Sequence, residues 1–192
     1  MEFYYWIFYY AIPAGIATYL LKRQQASVRN RVLTMHGFVL LSIFLLSIIG
    51  VSLSWNFQMY QLLIIGAGIL LLIYLLGFRG LLYAVSSAIQ EYCLLLASVL
   101  IITTIGLWLG AIITSLPYTF THFGRRLEKP NWQWKFPLLS LYGTISILLY
   151  FWLQQPLLNI ALHTVAGAIL IRIGVLYQLD KDSKTPVEEI NF

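Results

Sequence analysis

The chain has 192 residues, 60% of them hydrophobic and 10% charged, with a mean hydropathy of +0.81. A soluble domain of this length cannot bury so large an apolar share, so the composition suits an integral membrane protein. A single cysteine, Cys93, excludes an intrachain disulfide and the usual cysteine-rich zinc patterns. The net charge of +5 reads as membrane topology, because the basic residues lie in short loops between apolar runs; the expected partner is the lipid bilayer and not a nucleic acid.

The first apolar run, Phe3–Leu21, has no basic stretch before it, so a first span is expected rather than a cleavable signal peptide. Tyr4, Tyr5, Trp6, Tyr9 and Tyr10 crowd its start like an interfacial aromatic belt, and Pro13 predicts a kink. A loop at Lys22–His36 carries Lys22, Arg23, Arg29 and Arg31. Span two is Gly37–Trp55; an uncharged turn at Asn56–Met59 leads to span three, Tyr60–Gly77, and Phe78-Arg79-Gly80 is a tight turn.

Leu81–His122 is apolar almost throughout and carries one charge, Glu91. At roughly 20 residues per crossing it makes two spans. A break is expected at Thr103-Thr104-Ile105-Gly106, where glycine can end a helix, with Ala97-Ser98 as the alternative. Spans four and five are then about Leu82–Ile102 and Leu107–Phe123. A basic loop, Gly124–Phe136, holds Arg125, Arg126, Lys129 and Lys135 beside Trp132 and Trp134. Span six is Pro137–Leu153, Gln154-Gln155-Pro156 is a short turn, and span seven runs from Leu157 to about Tyr177, with Arg172 near enough to its end to snorkel.

The fold expected is therefore all-α: a polytopic transmembrane helix bundle of about seven spans. Residues 1–179 form one transmembrane domain, and 180–192 form a polar cytoplasmic tail. An outside N-terminus and an inside C-terminus put every Lys and Arg on one face, as the positive-inside rule requires, in what is expected to be the plasma membrane. Small residues at Ala14-Gly15 and Ala17, Gly66-Ala67-Gly68 and Ala166-Gly167-Ala168 allow close helix approach and carry no chemistry of their own.

Glu91 falls about ten residues into span four, roughly 15 Å from the inner edge. A carboxylate at that depth is costly; it is either a proton-handling group or a neutral acid bonded between helices. His163, roughly 10 Å from the outer edge, and His122, at the end of span five, each have a plain structural reading as well. Together, one carboxylate and two imidazoles on three spans could surround a water molecule, or bind a metal ion whose identity the sequence leaves unknown. In a straight-helix arrangement their depths differ by roughly 13 Å between extremes, and a kink at Pro117 would reduce this.

These residues resemble the motifs of the CPBP intramembrane proteases, also called CAAX-protease or abortive-infection-like proteins. That family has Glu-Glu-x-x-x-Arg, then Phe-x-x-x-His, then His-x-x-x-Asn on successive helices. Ala88-Ile89-Gln90-Glu91-Tyr92 resembles the first motif. Ser115–Gly124 resembles the second, with Tyr118 in place of Phe. Leu157–His163 resembles the approach to the third. Gln90 or Tyr92 stands for the second Glu, Leu95 and Leu96 occupy the Arg positions, and Gly167 stands at the Asn. Phe78-Arg79-Gly80 looks like the end of the first motif, but Tyr74 and Leu75 would then replace the Glu pair, so it is set aside.

The resemblance covers Leu81–Ala168. It implies hydrolysis of a peptide bond in a membrane-associated peptide or protein, with Glu91 as general base and His122 and His163 positioning water and stabilising the oxyanion. The departures leave a member that binds without cutting as a further expectation. Two other readings stand beside it: a non-enzymatic immunity, assembly or scaffold factor, and a small proton-coupled transporter using Glu91.

Overall fold

Glycine and proline set several of the helix boundaries. The computed structural model describes residues 2–23, 28–55, 58–77, 79–123 and 132–172. Helix α1 (Glu2–Trp6) runs through a π-helical turn (Ile7–Ala11) into α2 (Ile12–Arg23). Pro13 has no N–H to give to the carbonyl four residues back, and its ring crowds that carbonyl. The wider turn just before it, in which the Ile12 N–H bonds to Ile7 O, absorbs this mismatch. The kink expected at Pro13 thus takes the form of a π turn.

Next come α3 (Val28–Ile48), α4 (Tyr60–Leu76), α5 (Arg79–Ile105), α6 (Leu107–Phe123), α7 (Trp132–Leu153) and α8 (Pro156–Arg172). All the regular structure among the described residues is helical. Gly106 alone separates α5 from α6; its φ of 86° reverses the chain in a conformation that side chains with a Cβ avoid. The break therefore falls at the expected glycine. The alternative, Ala97-Ser98, stays inside α5, where Ser98 Oγ donates back to Leu95 O at 2.6 Å. Pro156 opens α8 at the first helical position, where a missing N–H costs nothing.

Several boundaries differ from expectation. Helix α5 begins at Arg79, inside the expected Phe78-Arg79-Gly80 turn, and runs to Ile105. The second span begins earlier, because α3 runs back to Val28 through residues assigned to the basic loop. It also ends earlier: Gly50 turns the chain at φ 84° and residues 51–55 are irregular, tied by the Ser54 N–H donating to Tyr150 Oη at 2.8 Å. In the sixth span, α7 starts at Trp132 rather than Pro137, which its first turns accommodate. The basic loop at 124–131 and the polar tail at 180–192 lie outside the described residues.

Among the described residues, two stretches, Tyr83–Ile105 and Phe136–Leu153, are long and apolar enough to cross a membrane; Thr34–Ile48, Tyr60–Leu76 and Pro156–Ile169 are apolar but shorter.

Helix α5 is the axis of the packing. It contacts α1, α3, α4, α6, α7 and α8. Leu94, Leu95, Leu96, Ala97, Ser98 and Ile101 are all fully buried, so the helix is enclosed on every side at this level, as a helix apolar all round must be. Glu91 lies at the start of that enclosed stretch.

Candidate functional site

Polar side chains in the apolar helices recur one turn apart, which puts them on single faces: Tyr83, Ser87 and Glu91 on α5; Tyr142 and Ser146 on α7; Asn159 and His163 on α8. These three stripes meet. Glu91 is fully buried, and its carboxylate is held on both oxygens. Ser146 Oγ donates to Oε1 in a short hydrogen bond, and His163 Nδ1 lies 2.7 Å from Oε2. Asn159 Nδ2 then donates to the Ser146 carbonyl at 2.6 Å and to Ser146 Oγ at 2.7 Å. Ser146 therefore accepts from one side chain and donates to the next, which fixes the direction of its proton toward the carboxylate.

On its far side, His163 Nε2 is 3.4 Å from Tyr118 Oη. Tyr118 and Tyr142 each make a T-shaped contact with the imidazole, with ring centroids 6.3 and 5.4 Å away. The Tyr142 hydroxyl is buried and has no hydrogen-bond partner among the described residues. Tyr83 approaches from α5. Its phenol lies against the backbone of Gly167, where a Cβ would come 1.8 Å from the Tyr83 oxygen. Gly167 is one turn beyond His163, so this phenol covers the same face of α8.

Of the three site residues expected from sequence, the structure joins two. Glu91 and His163 share a hydrogen bond, so their separate depths in the straight-helix estimate do not keep them apart. His122 is the second-last residue of α6, and its side chain lies outside the described residues. From that motif it is Tyr118, one turn earlier, that reaches His163.

Sequence reasoning missed Ser146, Asn159, Tyr142 and Tyr83. Their signal was present in the one-turn spacing of polar residues within apolar helices. Asn159 is notable here: it stands four residues before His163, whereas the motif reading looked four residues after it and met Gly167.

A second polar contact joins α6 to α7. Ser115 Oγ lies 3.2 Å from Ser140 Oγ and 3.1 Å from Thr144 Oγ1, next to Gly143, whose missing Cβ allows the close approach. Each of Ser115 and Thr144 also bonds to its own helix backbone, so this group reads as helix packing. Among the described residues, no three His, Cys, Asp or Glu side chains group in a way that could hold a metal ion.

No protein-family model, curated protein or solved structure matches the chain.

Proposed function

We propose that this protein is a polytopic membrane protein built around an intramembrane proton-accepting dyad, Glu91–His163, and that it hydrolyses a peptide bond in a membrane-associated substrate, the activity its motif resemblance implies. The observation that carries the reading is the 2.7 Å bond between Glu91 Oε2 and His163 Nδ1 inside an apolar bundle. Ionisable groups at that depth are expensive and are characteristically functional. A carboxylate bonded to an imidazole that is in turn bonded onward is a working arrangement for proton transfer.

Membrane placement is supported by the outer surface as well as by the two long apolar helices. Tyr74 is 84% exposed, Trp152 81% and Leu63 77%, on helices with few charges, and such an exterior suits lipid better than water. Seven crossings with the N-terminus outside agree with the placement of the basic residues. Labelling of single cysteines at each terminus from either side of intact cells tests this. Reaction of both ends from the same side refutes it.

A second reading is favoured by one observation: both carboxylate oxygens of Glu91 are already occupied by protein groups. In that reading the network staples α5, α7 and α8 in a non-enzymatic membrane protein. An internally quenched, prenylated peptide offered to the protein in lipid vesicles separates the two. The hydrolase cleaves it, and Glu91→Gln abolishes cleavage while the fold persists. A staple cleaves nothing in either form.

A further inference from the structure

The hydrogen bonds give the dyad two unlike sides. Glu91 is 0% exposed and His163 9% exposed, and the Tyr142 hydroxyl near them is buried with no hydrogen-bond partner among the described residues. The bonded order is Asn159, Ser146, Glu91, His163 and then Tyr118. Resting on the hydrolytic reading above, we propose a division of labour within that site. His163 Nε2 is the atom that exchanges protons with substrate and water. Glu91, locked by Ser146 and Asn159, is a positioning residue behind it. The hydroxyls of Tyr118 and Tyr142, with Tyr83 beside them, are the donors that meet the substrate carbonyl.

The hydrogen-bond partners support this order. Glu91 Oε1 takes the Ser146 proton and Oε2 faces Nδ1, so neither oxygen is directed at an incoming molecule. With the carboxylate as acceptor, Nδ1 carries the imidazole proton and Nε2 keeps its lone pair. That lone pair points to Tyr118 Oη, at a separation of 3.4 Å that is long for an O–H···N bond and readily exchanged for a substrate contact. The Tyr118 and Tyr142 rings pack at steep angles against the imidazole from α6 and α7. Tyr83 can lie over α8 only because position 167 is glycine.

The chemical step balances without any redox change. Water donates a proton to Nε2 as its oxygen bonds to the carbonyl carbon. The π pair of the carbonyl moves to its oxygen, which the Tyr118 and Tyr142 O–H groups stabilise. Re-formation of the C=O bond breaks the C–N bond. Nε2–H then gives its proton to the departing nitrogen, leaving an amine and a carboxylic acid.

The test uses the full chain in lipid nanodiscs with 15N-labelled histidine. Only three histidines are present, and His163→Asn identifies the relevant signals by their loss. The expected spectrum has Nδ1 protonated and Nε2 bare, and Tyr118→Phe shifts the Nε2 resonance. A protonated Nε2 beside a bare Nδ1 places the proton on Glu91 and overturns the proposal. With the quenched prenylated peptide, Tyr118→Phe and Tyr142→Phe are expected to lower kcat by roughly 10²-fold with KM little changed. Wild-type kcat in both variants, with Glu91→Gln inactive, also overturns it. Absence of turnover in the native chain refutes the hydrolytic reading alone, and the tautomer then decides the assignment of the accepting atom.

Discussion

Gly167→Ala is the sharpest structural test of the site, because the space involved is already filled. A Cβ at position 167 would lie 1.8 Å from the Tyr83 oxygen, 2.9 Å from Cζ and 3.4 Å from Cε1. Ordinary carbon–oxygen contact is over 3 Å, so either the phenol leaves the face of α8 or α5 and α8 separate by more than 1 Å. Overpacking of this kind costs about 1–3 kcal/mol. Tyr83→Phe removes the atom in worst conflict but leaves Cζ too close, so it should relieve only part of the cost. Replacing Tyr83 with Ala should remove the conflict entirely, at the expense of a cavity. The assay is a double-mutant cycle on unfolding in mixed micelles, followed by tryptophan fluorescence. The expected coupling between positions 83 and 167 is about 1–3 kcal/mol, of the sign that makes Gly167→Ala milder when the phenol is gone. Additive single and double variants, within about 0.5 kcal/mol, would refute the reasoning.

Other substitutions probe the network and the turn. Glu91→Leu leaves the Ser146 hydroxyl and the His163 N–H without their acceptor and should destabilise by about 3–5 kcal/mol, whereas Glu91→Gln keeps an acceptor oxygen and should cost about 1 kcal/mol in the same unfolding assay. Asn159→Ala removes both bonds to Ser146 and should cost about 1–3 kcal/mol; Ser146→Ala, combined with it, should add about 1–3 kcal/mol more, since it also takes the hydroxyl donor from the buried Glu91 carboxylate. Gly106→Ala forces a Cβ into positive φ and should lower stability by about 1–2 kcal/mol, read from the same transitions.

The helices were legible to differing degrees, for identifiable reasons. The break at Gly106 and the bounds of α6 at Leu107–Phe123 follow from one glycine inside an apolar run. The start of α3 at Val28 did not, because the charges of Arg29 and Arg31 read as loop although nothing in them breaks a helix. In the site, Glu91 stands out by cost alone, and His163 by being an imidazole at depth. Ser146 and Asn159 are cheap, common residues in membrane helices. Their importance comes from tertiary convergence, which a single helix's sequence carries only as spacing. Motif reading pointed one turn the wrong way along α8: the amide that supports the dyad is Asn159, and the glycine at 167 makes room for a phenol from another helix.

The single-residue junction between α5 and α6 has a consequence for biosynthesis under the membrane-spanning reading proposed above. With only Gly106 between them, the two helices would enter lipid together as a hairpin. The Glu91 carboxyl would then travel with α6 alongside before α7 and α8, which bear its bonding partners, had been made. Until they arrived, the nascent hairpin would hold an unsatisfied acid in a greasy environment.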